Sequence, residues 1–188
     1  MHNIEPFYNW RHVYVSEEDK ESPFYNRVYS EFEFTKTVYN YYIHPQWDDF
    51  GSSTLYLKVL LADYSEKYSI IELLGEWNDV IENDIMELTR NVLAHFMSKG
   101  IHKFILICEN VLNFHSAGKE YYEELNEELL ENKGWVVCIN MPTQTHYEFR
   151  KSKLDIYFLL MELIDWRAYK PFHLFTKIGK EFEDRLLE

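Results

Sequence analysis

The sequence predicts an α/β fold of the mixed α+β kind: a mixed β-sheet with antiparallel N-terminal strands, a βαβαβ core, and helices packed on the sheet. Three observations point there. The hydrophobic pattern changes after about residue 75, from strand-like runs to alternating helical and strand-like segments. Two nearly all-apolar runs, KFILIC (Lys103–Cys108) and WVVCIN (Trp135–Asn140), suit central strands covered on both faces. The runs LYLKVLLA (Leu55–Ala62) and YSIIELL (Tyr68–Leu74) are separated only by DYSEK, and so short a connection forces them antiparallel.

Residues 1–45 are rich in aromatics and β-formers, and Asn9–Val15 and Thr35–Ile43 read as strands. Between them, SEEDKESPFYNR reads as an exposed, charged loop. His44-Pro45 ends the second strand, because proline cannot donate to the ladder. QWDDFGSS is a connection with Asp and Gly turn chemistry, leading to the hairpin whose return strand Gly75 closes. Asp79 followed by Glu82 has the spacing of a capping box for a helix over Val80–Lys99. Its inward face would carry Ile81, Ile85, Leu88, Val92 and Phe96. Gly100 supplies a left-handed cap, with Ile101 folding back on the last turn.

After KFILIC, the polar stretch ENVLNFHSAG reads as a loop into a helix over Lys119–Glu131. Tyr121, Tyr122, Leu125 and Leu129 face inward there, and six glutamates from Glu120 to Glu131 coat the other side. Pro142-Thr143 opens a short helix to about Ser152, Asp155–Leu160 is the last strand candidate although its apolar run suits a helix equally, and Pro171 starts a final helix. Phe172, Phe175, Ile178, Phe182 and Leu186 would share its inner face. With right-handed crossovers the core strands run parallel. The whole of 1–188 reads as one domain: an aromatic-rich β extension over 1–45, a core over 46–160 and a C-terminal helical segment over 161–188.

The net charge of −13 lacks the basic footprint of a nucleic-acid binder and repels anionic lipid headgroups. The first ten residues lack the charged-then-apolar order of a signal peptide. The longest wholly apolar run, Ile156–Met161, falls far short of the ~20 residues that span a bilayer. A cytoplasmic protein without cofactor is therefore expected. Cys108 and Cys138 read as buried small hydrophobes, although neighbouring strands could bring them close.

The stretch 68–140 resembles the STAS domain, the fold of bacterial anti-anti-sigma factors. Gly75-Glu76-Trp77-Asn78-Asp79 stands where that family has a Gly-Glu-Leu-Asp-like turn. A long helix and the strand KFILIC follow, and then Val111-Leu112-Asn113-Phe114-His115-Ser116-Ala117-Gly118 matches the family's Val-x-Phe-x-Asp-Ser-Ser-Gly loop. The resemblance implies a STAS-like core that binds a protein partner through loop 109–118 and the helix after it. The family's phosphate-accepting serine and its aspartate are here Ala117 and His115, so phosphorylation is either lost or moved to Ser116.

Ligands of open α/β sheets tend to bind beyond the carboxyl ends of the parallel strands. Glu76, Trp77, Asn78, Asp79, Glu109, Asn110, Asn113, His115, Ser116 and Asn140 fall there. One reading is a pocket with His115 as base and Glu109 or Glu76 orienting it. The favoured reading assigns Asp79 and Asn78 to capping one helix, Ser116 to capping the next, and the asparagines to loop backbone. The binding surface is then Trp77, Asp79, Asn110, Asn113, His115 and Ser116. His44, Asp48 and Asp49 have the chemistry of metal ligands but read as a solvated turn, so no metal site is expected. Tyr39, Tyr41, Tyr42, Trp47 and Phe50 read as a second core layer. Three functions remain open: a non-catalytic STAS-like binding module, which is favoured; a small-molecule-binding or hydrolytic enzyme; and a structural homodimer paired through its N-terminal segment.

Overall fold

The computed structural model describes residues 4–186, with the side chain of Leu186 outside the described set. Its centre is a five-stranded mixed sheet in the order β3-β4-β5-β6-β7. The strands are β3 (Leu55–Asp63), β4 (Tyr68–Asn78), β5 (Lys103–His115), β6 (Trp135–Ile139) and β7 (Leu159–Met161). β3 pairs antiparallel with β4, and β4 through β7 are parallel. The predicted mixed sheet with a βαβαβ core is thus the observed one.

The helices follow the sequence pattern with informative shifts. The segment after β4 becomes helical only at Asp84: α1 (Asp84–Leu88) runs through a π-helical stretch (Thr89–Leu93) into α2 (Ala94–Ser98). Ile85, Leu88, Val92 and Phe96 are fully buried as expected, but Ile81 lies before the helix and is 77% exposed. The amide of Gly100 bonds to Met97 O and that of Ile101 to Phe96 O, the paired closure of a Schellman cap. α3 (Lys119–Glu131) has the predicted bounds and buries Tyr122, Leu125 and Leu129. α4 (Thr143–Lys151) and α5 (Pro171–Leu186) complete the set. On α5, Ile178 is buried and Phe175 and Phe182 are half-buried, whereas Phe172 is exposed. The last strand is shorter and later than Asp155–Leu160, because Leu154 to Phe158 form turns.

One apolar layer lies between the sheet and α1–α4, built around Trp77, Phe104, Leu106, Cys108, Val136 and Cys138. The opposite face carries Ile70, Ile105, Ile107 and Val137, covered by α5 and by the N-terminal Trp10. The two cysteines are free and buried in the first layer, with burial and each other's proximity pushing the Cys108 thiol up. That suits small core hydrophobes.

The N-terminal segment departs most from expectation. Asn9–Val15 is a run of turns, with the amides of Arg11, Val13 and Tyr14 bonded three or four residues back. Thr35–Ile43 is a tiny hairpin, β1 (Thr37–Val38) against β2 (Tyr41–Tyr42), in a sheet of its own. Tyr39 and Asn40, both at positive φ, form its turn. The stretch 16–27 is not a free loop, since Ser16, Ser22 and Phe24 are buried. The aromatics divide: Trp47 and Phe50 are core, while Tyr39, Tyr41 and Tyr42 are about half exposed.

The connection 46–53 is no solvated turn. Asp48 is fully buried and bridges to Leu57 by reciprocal backbone hydrogen bonds. Lys58 Nζ lies 3.3 Å from its carboxylate and 3.2 Å from that of Glu17, and Arg27 approaches Asp48 at 3.4 Å. Among the described residues no group of three or more metal-ligating side chains stands together, and no helix is long and apolar enough to cross a membrane.

Candidate functional site at the end of the β4–β5 ribbon

β6 accompanies β5 only from Lys103 to Ile107, and β3 leaves β4 at Gly75. Beyond those points β4 and β5 continue as a two-stranded ribbon, with Glu76 opposite Asn113 and Asn78 opposite His115. ENVLNFH is therefore strand rather than loop. Gly75 does not end β4 either. It sits at a register shift with φ +127°, where a β-carbon would lie 2.1 Å from Thr54 O. Only glycine lets β4 pass β3 so closely while turning outward.

One face of the ribbon is apolar. Trp77, fully buried, meets Phe114, Tyr122 and Phe149, so it belongs to the core and not to a binding surface. The other face is polar. Glu76 accepts from Tyr39 Oη at 2.6 Å and from Asn78 Nδ2 at 2.9 Å. His115 Nε2 lies 3.4 Å from Glu76 Oε1 and 3.0 Å from Asn113 Nδ2. That nitrogen accepts from Asn113 in the tautomer that leaves it without a proton, and can donate toward Glu76 when it carries one. The His115 side chain is 46% exposed. Sequence reasoning missed Tyr39 as a partner of this group; the Tyr39-Asn40 pair was itself a turn signal, obscured by the β-rich run around it.

Glu109 does not join this group, which corrects its expected role as orienter of His115. Its carboxylate is held by the two terminal guanidinium nitrogens of Arg167, with Nη1 at 3.0 Å, and receives Trp166 Nε1 at 3.2 Å. Glu109 and Asn140 line a different, open cavity of about 350 Å³ with Ile164 and Arg167. Asn140 spends its amide on the backbone of Leu163, in both directions. Asn110 is half-buried in the ladder opposite Leu74.

Asp79 is also not on the surface. It does not form the expected capping box; the residue before α1 is Asn83, in the left-handed region. Instead the Asp79 carboxylate accepts from Trp77 Nε1, from Tyr122 Oη at 2.7 Å and from the amide of Ile85 at 2.9 Å. Burial raises its pKa to about 6 against these hydrogen bonds. Asp84, absent from the sequence-derived set, accepts from the amide of Asn78 at 2.7 Å. Burial first, and then the nearby charges of Asp79 and Glu82, push it to about 7. The two aspartates lock loop 79–83 against the ribbon and α3. The amide of Asp79 in turn bonds to His115 O at 2.9 Å, so loops 79–83 and 115–118 lie side by side.

What reaches solvent here is Val80 (64% exposed), Ile81 (77%), His115 and Ser116. Ser116 does not cap α3, whose N-terminal residue Gly118 makes no side-chain cap. Its Oγ lies 2.6 Å from Ser152 Oγ.

No family model matches the chain, and no curated protein matches it in sequence. Among solved structures it is similar to the anti-sigma factor antagonist SpoIIAA in its unphosphorylated form, at 15% identity and a TM-score of 0.47, over 60% of this chain and 91% of that one. The Bacillus cell fate determinant SpoIIAA in its phosphorylated form is similar at 15% identity and TM-score 0.43, over 60% and 95%. An anti-sigma factor antagonist from Mycobacterium paratuberculosis is similar at 16% identity and TM-score 0.43, over 58% and 88%.

Proposed function

We propose that this chain is a non-catalytic, STAS-like regulatory module that binds a protein partner through the paired loops 79–83 and 115–118. The observation that carries the reading is what those loops present. Two large aliphatic side chains, Val80 and Ile81, stand exposed beside an imidazole and a hydroxyl, on a segment anchored from beneath by buried carboxylates. An apolar centre with a polar rim on a rigid base is the anatomy of a protein contact. His115 and Glu76 meet at 3.4 Å, but on a ribbon face where the imidazole is 46% exposed, and Glu109 is held elsewhere by Arg167, which favours a contact surface over an acid–base pocket.

Ser116 is the hydroxyl on this ridge for a regulatory phosphate, which would add up to two negative charges beside His115. The acidic chain, working in the cytoplasm, favours a partner with a complementary basic surface over nucleic acid or membrane.

The test is capture of partners by the full chain and by a His115→Ala/Ser116→Ala/Ile81→Glu variant. All three side chains are exposed, so the variant should fold. The reading expects at least one stoichiometric partner that the variant no longer retains. Retention of every partner by the variant overturns it.

A further inference from the structure

At the end of the sheet away from His115, α3, α5 and the approach to β7 enclose a cavity of about 300 Å³. Leu130, Trp135, Ile156, Tyr157, Leu159 and Phe182 give it mainly apolar walls. Leu130 is 59% exposed and Ile156 65% exposed. Single exposed aliphatics are ordinary on a protein surface. Two of them at the mouth of one aromatic-lined cavity are a ready anchor site, of the size that accepts one bulky side chain or a small ligand.

The charge around the cavity says what kind of partner suits it. Asn126 and Leu130 carry the α3 side of the wall. Glu123 lies three residues before Asn126, and Glu127 three before Leu130, so both stand one turn along the same helical stripe. Among the described residues, no ion pair engages any of the six glutamates of α3 at 120, 123, 124, 127, 128 and 131. The charged residues that line the opposite wall, Arg185 and Asp155, are already committed. Arg185 donates to Leu160 O and Glu181, and Arg150 pairs with Asp155.

We propose that this groove is a second docking surface, and that its occupant is a basic amphipathic helix of a partner protein. One bulky apolar side chain enters the cavity between Leu130 and Ile156. Lysine or arginine on its flanks meets Glu123 and Glu127, which are the free charges. The edge carbonyl of Leu160 is occupied by Arg185, which disfavours strand addition there and leaves helix-in-groove docking. The surface is independent of loops 79–83 and 115–118. Trp135 pairs with Lys103, at the start of β5, while His115 ends that strand, roughly 40 Å away at ~3.3 Å per residue.

The experiment uses the full chain and a fluorescent synthetic peptide of leucine and lysine, with leucines at helical i, i+3, i+4, i+7 spacing. A scrambled peptide of equal composition has no apolar face. Anisotropy titrations should show saturable binding of the amphipathic peptide, at least tenfold tighter than the scrambled one. Leu130→Glu and Ile156→Glu should each weaken it about tenfold, the loss of one buried aliphatic contact. Glu123→Gln/Glu127→Gln should weaken it and flatten its salt dependence. Circular dichroism confirms that each variant is folded. The His115→Ala/Ser116→Ala variant should bind as the wild type does, which separates this groove from the ribbon-end surface. Equal binding of the scrambled peptide, or indifference to Leu130→Glu and Ile156→Glu, overturns the proposal. So does a dimer in sedimentation that Leu130→Glu disperses, because the groove then belongs to a second copy.

Discussion

The buried carboxyls of Asp79, Asp84 and Glu72 set the pH response of the fold. Burial is the largest influence on each, raising Asp79 to about 6, Asp84 to about 7 and Glu72 to about 7. A carboxyl that holds its proton more tightly folded than unfolded favours the folded state while protonated. That advantage is full below the unfolded values near 4 and fades as pH rises through 6–7. Thermal unfolding across pH 4.5–8 should therefore show a Tm that falls toward the alkaline end of that ~3.5-unit range. Asp84→Asn keeps the oxygen that accepts from the Asn78 amide and removes the buried charge. It should shallow the decline and raise Tm at pH 8. An unchanged slope would place the titration elsewhere, for example at Glu72, whose carboxylate accepts from the amide of Phe7 at 2.7 Å.

The β4–β5 ribbon depends on Gly75 in the same direct way. A methyl there meets backbone atoms of Thr54, not the movable end of a side chain, and the φ of +127° is strained for any L residue. Gly75→Ala should destabilise the chain by roughly 3 kcal/mol or more, through strain plus displacement of β3. Chemical denaturation measures this, and a loss below ~1 kcal/mol would show that β3 can shift. The extension past Gly75 also marks where the sequence was readable. The apolar runs of β3, β4, β5 and β6 and the glutamate-coated stripe of α3 declared themselves, because burial on both faces, or on one face, leaves a period. The ribbon did not. Its inner residues Trp77, Val111 and Phe114 are separated by residues that face outward, the apolar Leu112 among them, and the register shifts break the alternation. The helix start was misplaced for a related reason. Asp79 and Glu82 have capping spacing, but Asp79 is bonded to Tyr122 across 43 positions, a contact no local pattern encodes. So the site was legible as a list of polar residues at strand ends. Its division into an outward group around Glu76 and His115, a buried group around Asp79 and Asp84, and Glu109 paired with Arg167 required the three-dimensional register.

At the scale of the molecule, the N-terminal segment is bound as core and not as an appendage. Trp10 packs edge-on against Phe7 and Trp166, and Phe24 sits in the layer under α1 and α2. Lys58 is the junction. From β3 it reaches Glu17 on the segment and Asp48 on the connection, with all three side chains at most 13% exposed. Asp48 also receives Arg27 and the hydroxyl of Tyr29. Burial alone raises the Asp48 pKa, and the cations of Lys58 and Arg27 work against that rise. Removing one member of such a group leaves the others charged and dry, which typically costs about 3–5 kcal/mol. Lys58→Met keeps the length and the apolar stem and removes only the charge. It should lower stability by that amount, with the cost easing as pH falls, because burial already favours the protonated form of Asp48 and protonation relieves the unpaired charge. The same linkage predicts that the chain unfolds in one cooperative transition, and that a fragment starting at residue 46 does not fold, since it exposes Lys58, Asp48 and the faces that Trp10 and Phe24 cover. Calorimetry of the full chain and soluble expression of the fragment check both. A folded fragment with native Trp fluorescence would show that the sheet and its helices suffice, and that residues 1–45 are a separable cover.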